Sequence, residues 1–197
     1  MKRCVIISTL LITVILRAYT QTDSSHGIDF LQNTSWKEVL QKARTENKYI
    51  FVDCYATWCG PCKWMDKIVY VNDTIARIMN QQFVSVRMQM DSTAKDGDNI
   101  RASYSTAHYL DRQYHINAYP TYLFFSPDGH VVHKAIGAHD VHQFTKLAED
   151  AKDPRRQFYT LLAEYQHGNM GYAAIHDLAE AAKKLQEDSL AKVGVGF

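Results

Sequence analysis

Two cysteines three positions apart, Cys59 and Cys62, stand directly behind the seven-residue run Tyr49–Tyr55 (YIFVDCY). This junction limits the fold more than any other feature of the chain. The run is rich in β-formers and almost unbroken in apolar character, so it reads as a buried strand. Asp53 is its one odd member. Ala56 to Pro61 reads as a tight loop. A helix is expected to start near Cys59 and run through Trp64, Met65 and Ile68, with Asn72-Asp73 as a break and a fresh cap.

The flanking sequence supplies the rest of a mixed sheet. Ser35-Trp36-Lys37-Glu38 is a capping box ahead of Trp36, Val39, Leu40 and Ala43 at helical spacing. Ile75, Ile78 and Met79 continue a helix, and Phe83 to Met90 alternates like a strand. Asp91 to Ser105 is polar and reads as a loop or insertion, to about residue 106, with a short helix at Leu110 and Tyr114. Thr121 to Phe125 and His130 to Ile136 flank the turn Ser126-Pro127-Asp128-Gly129, a hairpin pattern. Asp140 caps a helix carrying Val141, Phe144, Leu147 and Ala148. The expected domain covers 34–152: an α/β unit with a mixed central sheet and helices on both faces. Asp153-Pro154 then reads as an N-cap with proline at the first helical position. A second amphipathic helix is expected from Tyr172 to Lys192, so residues 153–197 form a helical hairpin extension.

A Cys-x-x-Cys pair at a helix start has a physical logic. The unpaired N–H groups and positive dipole end favour thiolate over thiol. Cys59 is then the nucleophile at the exposed end, and Cys62, about one turn further in, closes a disulfide with it. Pro61 fixes the backbone between them. Two other readings stay open at this point: a static disulfide, or a zinc site with help from His139 and His142, although these lie far along the chain in no finger-like spacing. Cys54 reads as a small buried hydrophobe. The nine histidines read as surface scatter, and Lys183, Lys184, Glu187 and Asp188 as a solvated helix face.

Trp58-Cys59-Gly60-Pro61-Cys62 after an Asp-bearing strand, with Tyr119-Pro120-Thr121 later, resembles the thioredoxin family over roughly residues 30 to 150. The interrupted helix of Cys62 to Phe83 is similar to that of secreted bacterial thioredoxin-like proteins, and to the periplasmic C-terminal domain of the membrane thiol:disulfide interchange protein. The resemblance implies a thioredoxin fold and a redox-active Cys59–Cys62 disulfide without metal or other cofactor. By position, Cys59 attacks, Cys62 resolves, and Asp53 helps move the proton of the resolving thiol. Pro120 follows a cis bond and faces the pair; Tyr119 pairs with an extended substrate. Trp58, Gly60 and Pro61 complete the substrate rim. Arg87 falls where many thioredoxins carry a lysine near the buried acid, a departure that bears on the Asp53 pKa.

The N-terminus reads as an address. Met1-Lys2-Arg3 is basic, Val5 to Leu16 is almost wholly apolar, and Ala18-Tyr19-Thr20 offers small residues for cleavage. A signal peptide over 1–20 is expected, then a flexible segment over 21–33, with the mature protein periplasmic. The apolar run is short of the roughly 20 residues that span a bilayer. With 22 Lys+Arg against 21 Asp+Glu there is no basic excess for nucleic acid. Four cysteines are too few for a disulfide-built mini-fold. The expected function is extracytoplasmic thiol–disulfide exchange, most simply reduction of protein or peptide disulfides, with a membrane redox partner as electron donor. The alternative is a scaffold that docks a partner through the insertion or the tail.

Overall fold

The computed structural model describes residues 27–187. The expected signal segment lies outside that range. Five strands form one sheet in the order β1-β3-β2-β4-β5: β1 (Phe30–Leu31), β2 (Tyr49–Tyr55), β3 (Phe83–Gln89), β4 (Thr121–Phe125) and β5 (Val131–Ile136). β3 runs parallel to β1 and β2, while β4 is antiparallel to β2 and β5. The helices are α1 (Trp36–Glu46), α2 (Gly60–Trp64), α3 (Asp73–Gln82), α4 (Asp98–Tyr114), α5 (Val141–Asp150), α6 (Phe158–Gln166) and α7 (Tyr172–Lys184). A π-helical turn, Met65–Val69, extends α2.

Alternation along the strands builds a core on each face of the sheet. Phe51, Tyr122 and Phe124 pack with Met65, Tyr70, Met79 and Phe144 on one side. Ile50, Val52, Cys54, Val86 and Leu123 pack with Val39, Ala107 and Leu110 on the other. Local signals fix the helix starts. Ser35 and Glu38 form the expected capping box, Asn72 caps α3, and Asp140 pairs with Gln143 in a second capping box. The Ser126–Gly129 turn closes the hairpin, with Gly129 at φ +94° and its N–H bonded to Ser126 O at 2.9 Å.

Several expectations need correction. Within the segment expected to be flexible, Phe30 and Leu31 pair with Ser85 and Val86 as strand β1. Most of the expected insertion is helix, because α4 begins at Asp98 and only 91–97 is loop. Ile100, Ser103, Tyr104, Ala107, Leu110 and Tyr114 lie inward at helical spacing, a stripe that the surrounding polar residues disguise. Asp153-Pro154 starts no helix. Asp153 O accepts the N–H groups of Arg156 and Gln157 in a turn, and α6 begins only at Phe158. α7 stops at Lys184, eight residues short of the expected Lys192, and residues 188–192 lie outside the described range.

The helical extension packs on β5. Phe158, Leu178, Ala182 and Leu185 form a small core against Ile136. Two residues of β5 act as its anchors. His133 is no surface residue: its Nδ1 accepts the Phe158 N–H at 3.1 Å, and burial pushes its pKa down to about 4. Lys134 is fully buried and donates to Tyr114 O, His115 O, Leu185 O and Glu187 Oε1. Glu187 therefore belongs to a buried ion pair, not to a solvated face.

Candidate active site

β2 carries the chain from the core to the sheet's end, and the tight turn after Tyr55 places Cys59 at the N-cap of α2. Cys59 and Cys62 are joined in a disulfide with Cα atoms 5.3 Å apart. Both cysteines are only 2% exposed, so exposure does not separate attacker from resolver as expected. The capping geometry does separate them. The Cys62 N–H points at Cys59 Sγ at 3.1 Å, so negative charge on Cys59 meets a donor and the positive end of the helix. Gly60 and Pro61 lie at the exposed surface beside the pair.

Aromatic groups frame this surface. Trp58 is 69% exposed, and its ring stands edge-on to Tyr119 at 5.8 Å. The Tyr119–Pro120 bond is cis. Pro120 is buried, and Tyr119 packs against the small cluster of Ala56, Cys59 and Cys62. Trp58, the two cysteines and Tyr119, read separately from the sequence, thus meet at one place.

Asp53 is 1% exposed, and it faces Arg87 on β3 and Tyr122 on β4 across the two ladders. Burial pushes its pKa up to about 6, against the pull of the Arg87 charge and with a further push from Asp66. Arg87 Nε donates to Asp53 Oδ2 at 3.1 Å, and its NH2 group reaches Asp66. The guanidinium lies 4.3 Å from the centre of the Tyr55 ring. Cys54 is wholly buried, and burial holds its thiol well above the ordinary range. Among the described residues no group of three His, Cys, Asp or Glu side chains is placed to hold a metal ion.

One contributor escaped the sequence reading. Asp91, the second residue beyond β3, accepts the Thr57 N–H at 3.0 Å and the Thr57 hydroxyl. It braces the turn that carries Trp58 and Cys59. Gln89 Nε2 ties the same loop by donating to Asp91 O and Asp96 Oδ2. Asp91 sits in a polar stretch, and only the parallel pairing of β3 with β2 brings it beside Thr57.

A family model described as thioredoxin-like matches residues 29–127. The chain is 30% identical over 117 residues to the thiol:disulfide interchange protein DsbD of Colwellia psychrerythraea. That match covers 57% of this chain and 17% of the interchange protein, so the chain spans a minor part of it. It is 31% identical over 101 residues to the thioredoxin of Mycoplasmoides gallisepticum, covering 51% of this chain and 82% of that one. Among solved structures, the oxidoreductase DsbH aligns with a TM-score of 0.51 at 16% identity, covering 68% of this chain and 92% of that chain. This last likeness is one of fold.

Proposed function

The chain belongs to the thioredoxin-like family and is a thiol–disulfide oxidoreductase; from that premise we propose that it works outside the cytoplasm, reducing the disulfides of other proteins through Cys59 and Cys62. The observation that carries this reading is the Cys62 N–H aimed at Cys59 Sγ at the start of α2, which favours a thiolate at Cys59.

In the reduced protein the Cys59 thiolate attacks one sulfur of a substrate disulfide. The second substrate sulfur leaves as a thiolate and takes up a proton, and a Cys59–substrate mixed disulfide remains. Asp53 then takes the proton of the Cys62 thiol. Burial and a pKa of about 6 suit it to accept and return a proton near neutral pH. Cys62 attacks Cys59 Sγ, the substrate departs as a thiol, and the Cys59–Cys62 disulfide forms. Two electrons pass from the dithiol to the substrate. During the mixed-disulfide stage an extended substrate segment lies along the chain at Tyr119, with Trp58 against its side chains.

Gly60-Pro61 between the cysteines resembles reducing thioredoxins and supports this direction. The thiol:disulfide interchange relative supports exchange with other proteins, and outside the cytoplasm a membrane redox partner returns the electrons. The basic head and apolar run of residues 1–20 support export.

The test is the reduction potential of the Cys59/Cys62 pair in the mature chain, with insulin reduction by Cys59→Ser beside it. A value near about −270 mV is expected, as is loss of insulin reduction in the variant. A value near about −120 mV would make the protein a disulfide donor. A pair that does not titrate would overturn the enzymatic reading.

A further inference from the structure

Six large hydrophobic side chains stand exposed among the described residues: Trp58, Trp64, Ile68, Val71, Tyr109 and Tyr172. Trp58 belongs to the redox loop, Trp64 and Ile68 to the helix that leaves it, and Val71 to the turn that follows. Trp64 is 42% exposed, Ile68 51% and Val71 50%. Trp64 and Ile68, four residues apart, lie on one side of the α2 helix and its π-helical extension, and Val71 follows in the turn just beyond the cap residue Tyr70. Apolar residues scattered singly on a surface need no explanation, but several within a dozen residues of a reactive disulfide do.

The π-helical turn accounts for the arrangement. Tyr70 N–H bonds to Met65 O at 2.9 Å, five residues back, so this turn holds one residue more than an α-helical turn. Met65, Val69 and Tyr70 are thereby buried together in the core, while Trp64 and Ile68 face outward. Turns of this kind occur often at functional sites.

The balance of charge beside the stripe is positive. Lys63 and Lys67, four residues apart, are both exposed. The acid on the same segment, Asp66, is held by Arg87 at 3.1 Å and is partly neutralised. The accessible face therefore joins apolar side chains to two exposed cations, and through Gly60 and Pro61, four and three residues before Trp64, it adjoins the exposed rim of the redox pair.

We propose that this face of α2 docks the protein whose disulfide is exchanged at Cys59. The partner presents an apolar segment to Trp64, Ile68 and Val71 and an acidic side chain to Lys63 and Lys67. The proposal rests on the oxidoreductase reading above and specifies which substrates that site prefers. Continuity with the rim of the redox pair argues for a protein occupant, since whatever covers Trp64 also lies next to the exposed Gly60 and Pro61. Cys59 to Val71 is 12 residues, about 18 Å along a helix. An extended partner covers that distance in about six residues. The recognised apolar segment thus falls within about six residues of the partner's cysteine.

The experiment uses disulfide-linked peptides whose cysteine is followed by an apolar segment flanked by Glu, the same segment flanked by Lys, or a serine-rich control. Bis(2-hydroxyethyl) disulfide serves as a neutral small substrate. The Glu-flanked peptide is expected to be reduced about tenfold faster in kcat/KM than the control, through KM, and faster than the Lys-flanked one. That charge preference should fade in 0.5 M salt. Trp64→Ser with Ile68→Ser should remove the apolar preference, and Lys63→Glu with Lys67→Glu should reverse the charge preference. Both variants should reduce the small substrate at the unaltered rate, which also shows that they fold. Equal rates for all three peptides would overturn the proposal. So would stripe-dependent binding to phosphatidylcholine–phosphatidylglycerol vesicles with equal peptide rates, which would make this face a membrane contact. Failure of the unaltered protein to reduce the small substrate would instead overturn the enzymatic reading, and the docking surface with it.

Discussion

Arg87 Nε stands 3.1 Å from Asp53 Oδ2, and the same guanidinium stands 3.1 Å from Asp66. One cation on β3 thus serves a buried carboxylate and a half-exposed one. Even so, burial dominates, and Asp53 titrates near 6 against an ordinary value of 3.8. Between these values the folded chain binds a proton at Asp53 that the unfolded chain has lost. Stability from this group is therefore full below about pH 3.8, falls as pH rises through about 6, and is level above. A shift of about two units is worth about 3 kcal/mol. Asp53→Asn should be more stable than the parent at pH 8 by up to about 3 kcal/mol, and no more stable at pH 3.5. Urea unfolding of the oxidised protein at the two pH values checks this. The variant should also lose at least about tenfold in insulin reduction at neutral pH if Asp53 moves the Cys62 proton.

Arg87→Met removes the charge that opposes burial. The Asp53 pKa should move further up, and the pH at which exchange reaches half its maximal rate should move up with it. Arg87→Lys should restore part of the shift, because a point charge replaces a fork that also reaches Asp66. Carboxyl titration by carbon NMR reads the shift directly. An unmoved Asp53 titration in Arg87→Met would mean that the ion pair has no hold on the acid.

Lys134 joins the extension to the sheet. Its side chain is wholly buried, and Glu187 and three backbone carbonyls converge on it. Lys134→Met fills the space but leaves Glu187 without its cation, at an expected cost of about 3–5 kcal/mol. For a chain of this size that corresponds to a fall in Tm of roughly 10 °C or more. Glu187→Gln keeps an acceptor and should cost clearly less. Thermal unfolding of the two variants checks the order. A smaller effect from Lys134→Met than from Glu187→Gln would mean the anchor lies elsewhere.

Features written in neighbouring residues were legible in the sequence. Ser35 with Glu38, and Ser126 to Gly129, act within a few residues of themselves, so their patterns predict their structures. Cys59-Gly60-Pro61-Cys62 behaves in the same way. What escaped depends on distant partners. Phe30–Leu31 is a strand because β3 offers an edge to it. The polar surface of α4 hides an inward stripe that matters once β3 stands beside it. His133 reads as a surface residue, and Lys134 carries no signal of its own in the hairpin arm, until α6, α7 and the residues after it cover them. The low exposure of Cys59 likewise depends on Tyr119 and Ala56 packing around it.

Asp91 gives the same lesson a kinetic form. Its carboxylate holds both the N–H and the hydroxyl of Thr57, one residue before Trp58 and two before Cys59. Asp91→Ala frees that turn without touching the cysteines. The stability cost should be modest, about 1–2 kcal/mol, comparable to a lost helix cap. The catalytic cost should be larger in proportion, because small displacements of a reacting group are expensive. A loss of roughly tenfold in kcat/KM for protein disulfides is expected, with the edge-on contact of Trp58 and Tyr119 loosened. Asp91→Asn can still accept the Thr57 N–H and should recover part of the rate. Stopped-flow reduction of insulin, with Trp58 fluorescence followed in a Trp36→Phe, Trp64→Phe background, separates the two effects. A Thr57→Val variant supplies the cross-check, since it removes the hydroxyl and keeps the N–H. If it matches Asp91→Ala in rate, the hydroxyl bond is the brace; if it matches the parent, the backbone bond alone holds the turn. Unaltered rates in Asp91→Ala itself would show that the turn keeps its shape without the carboxylate.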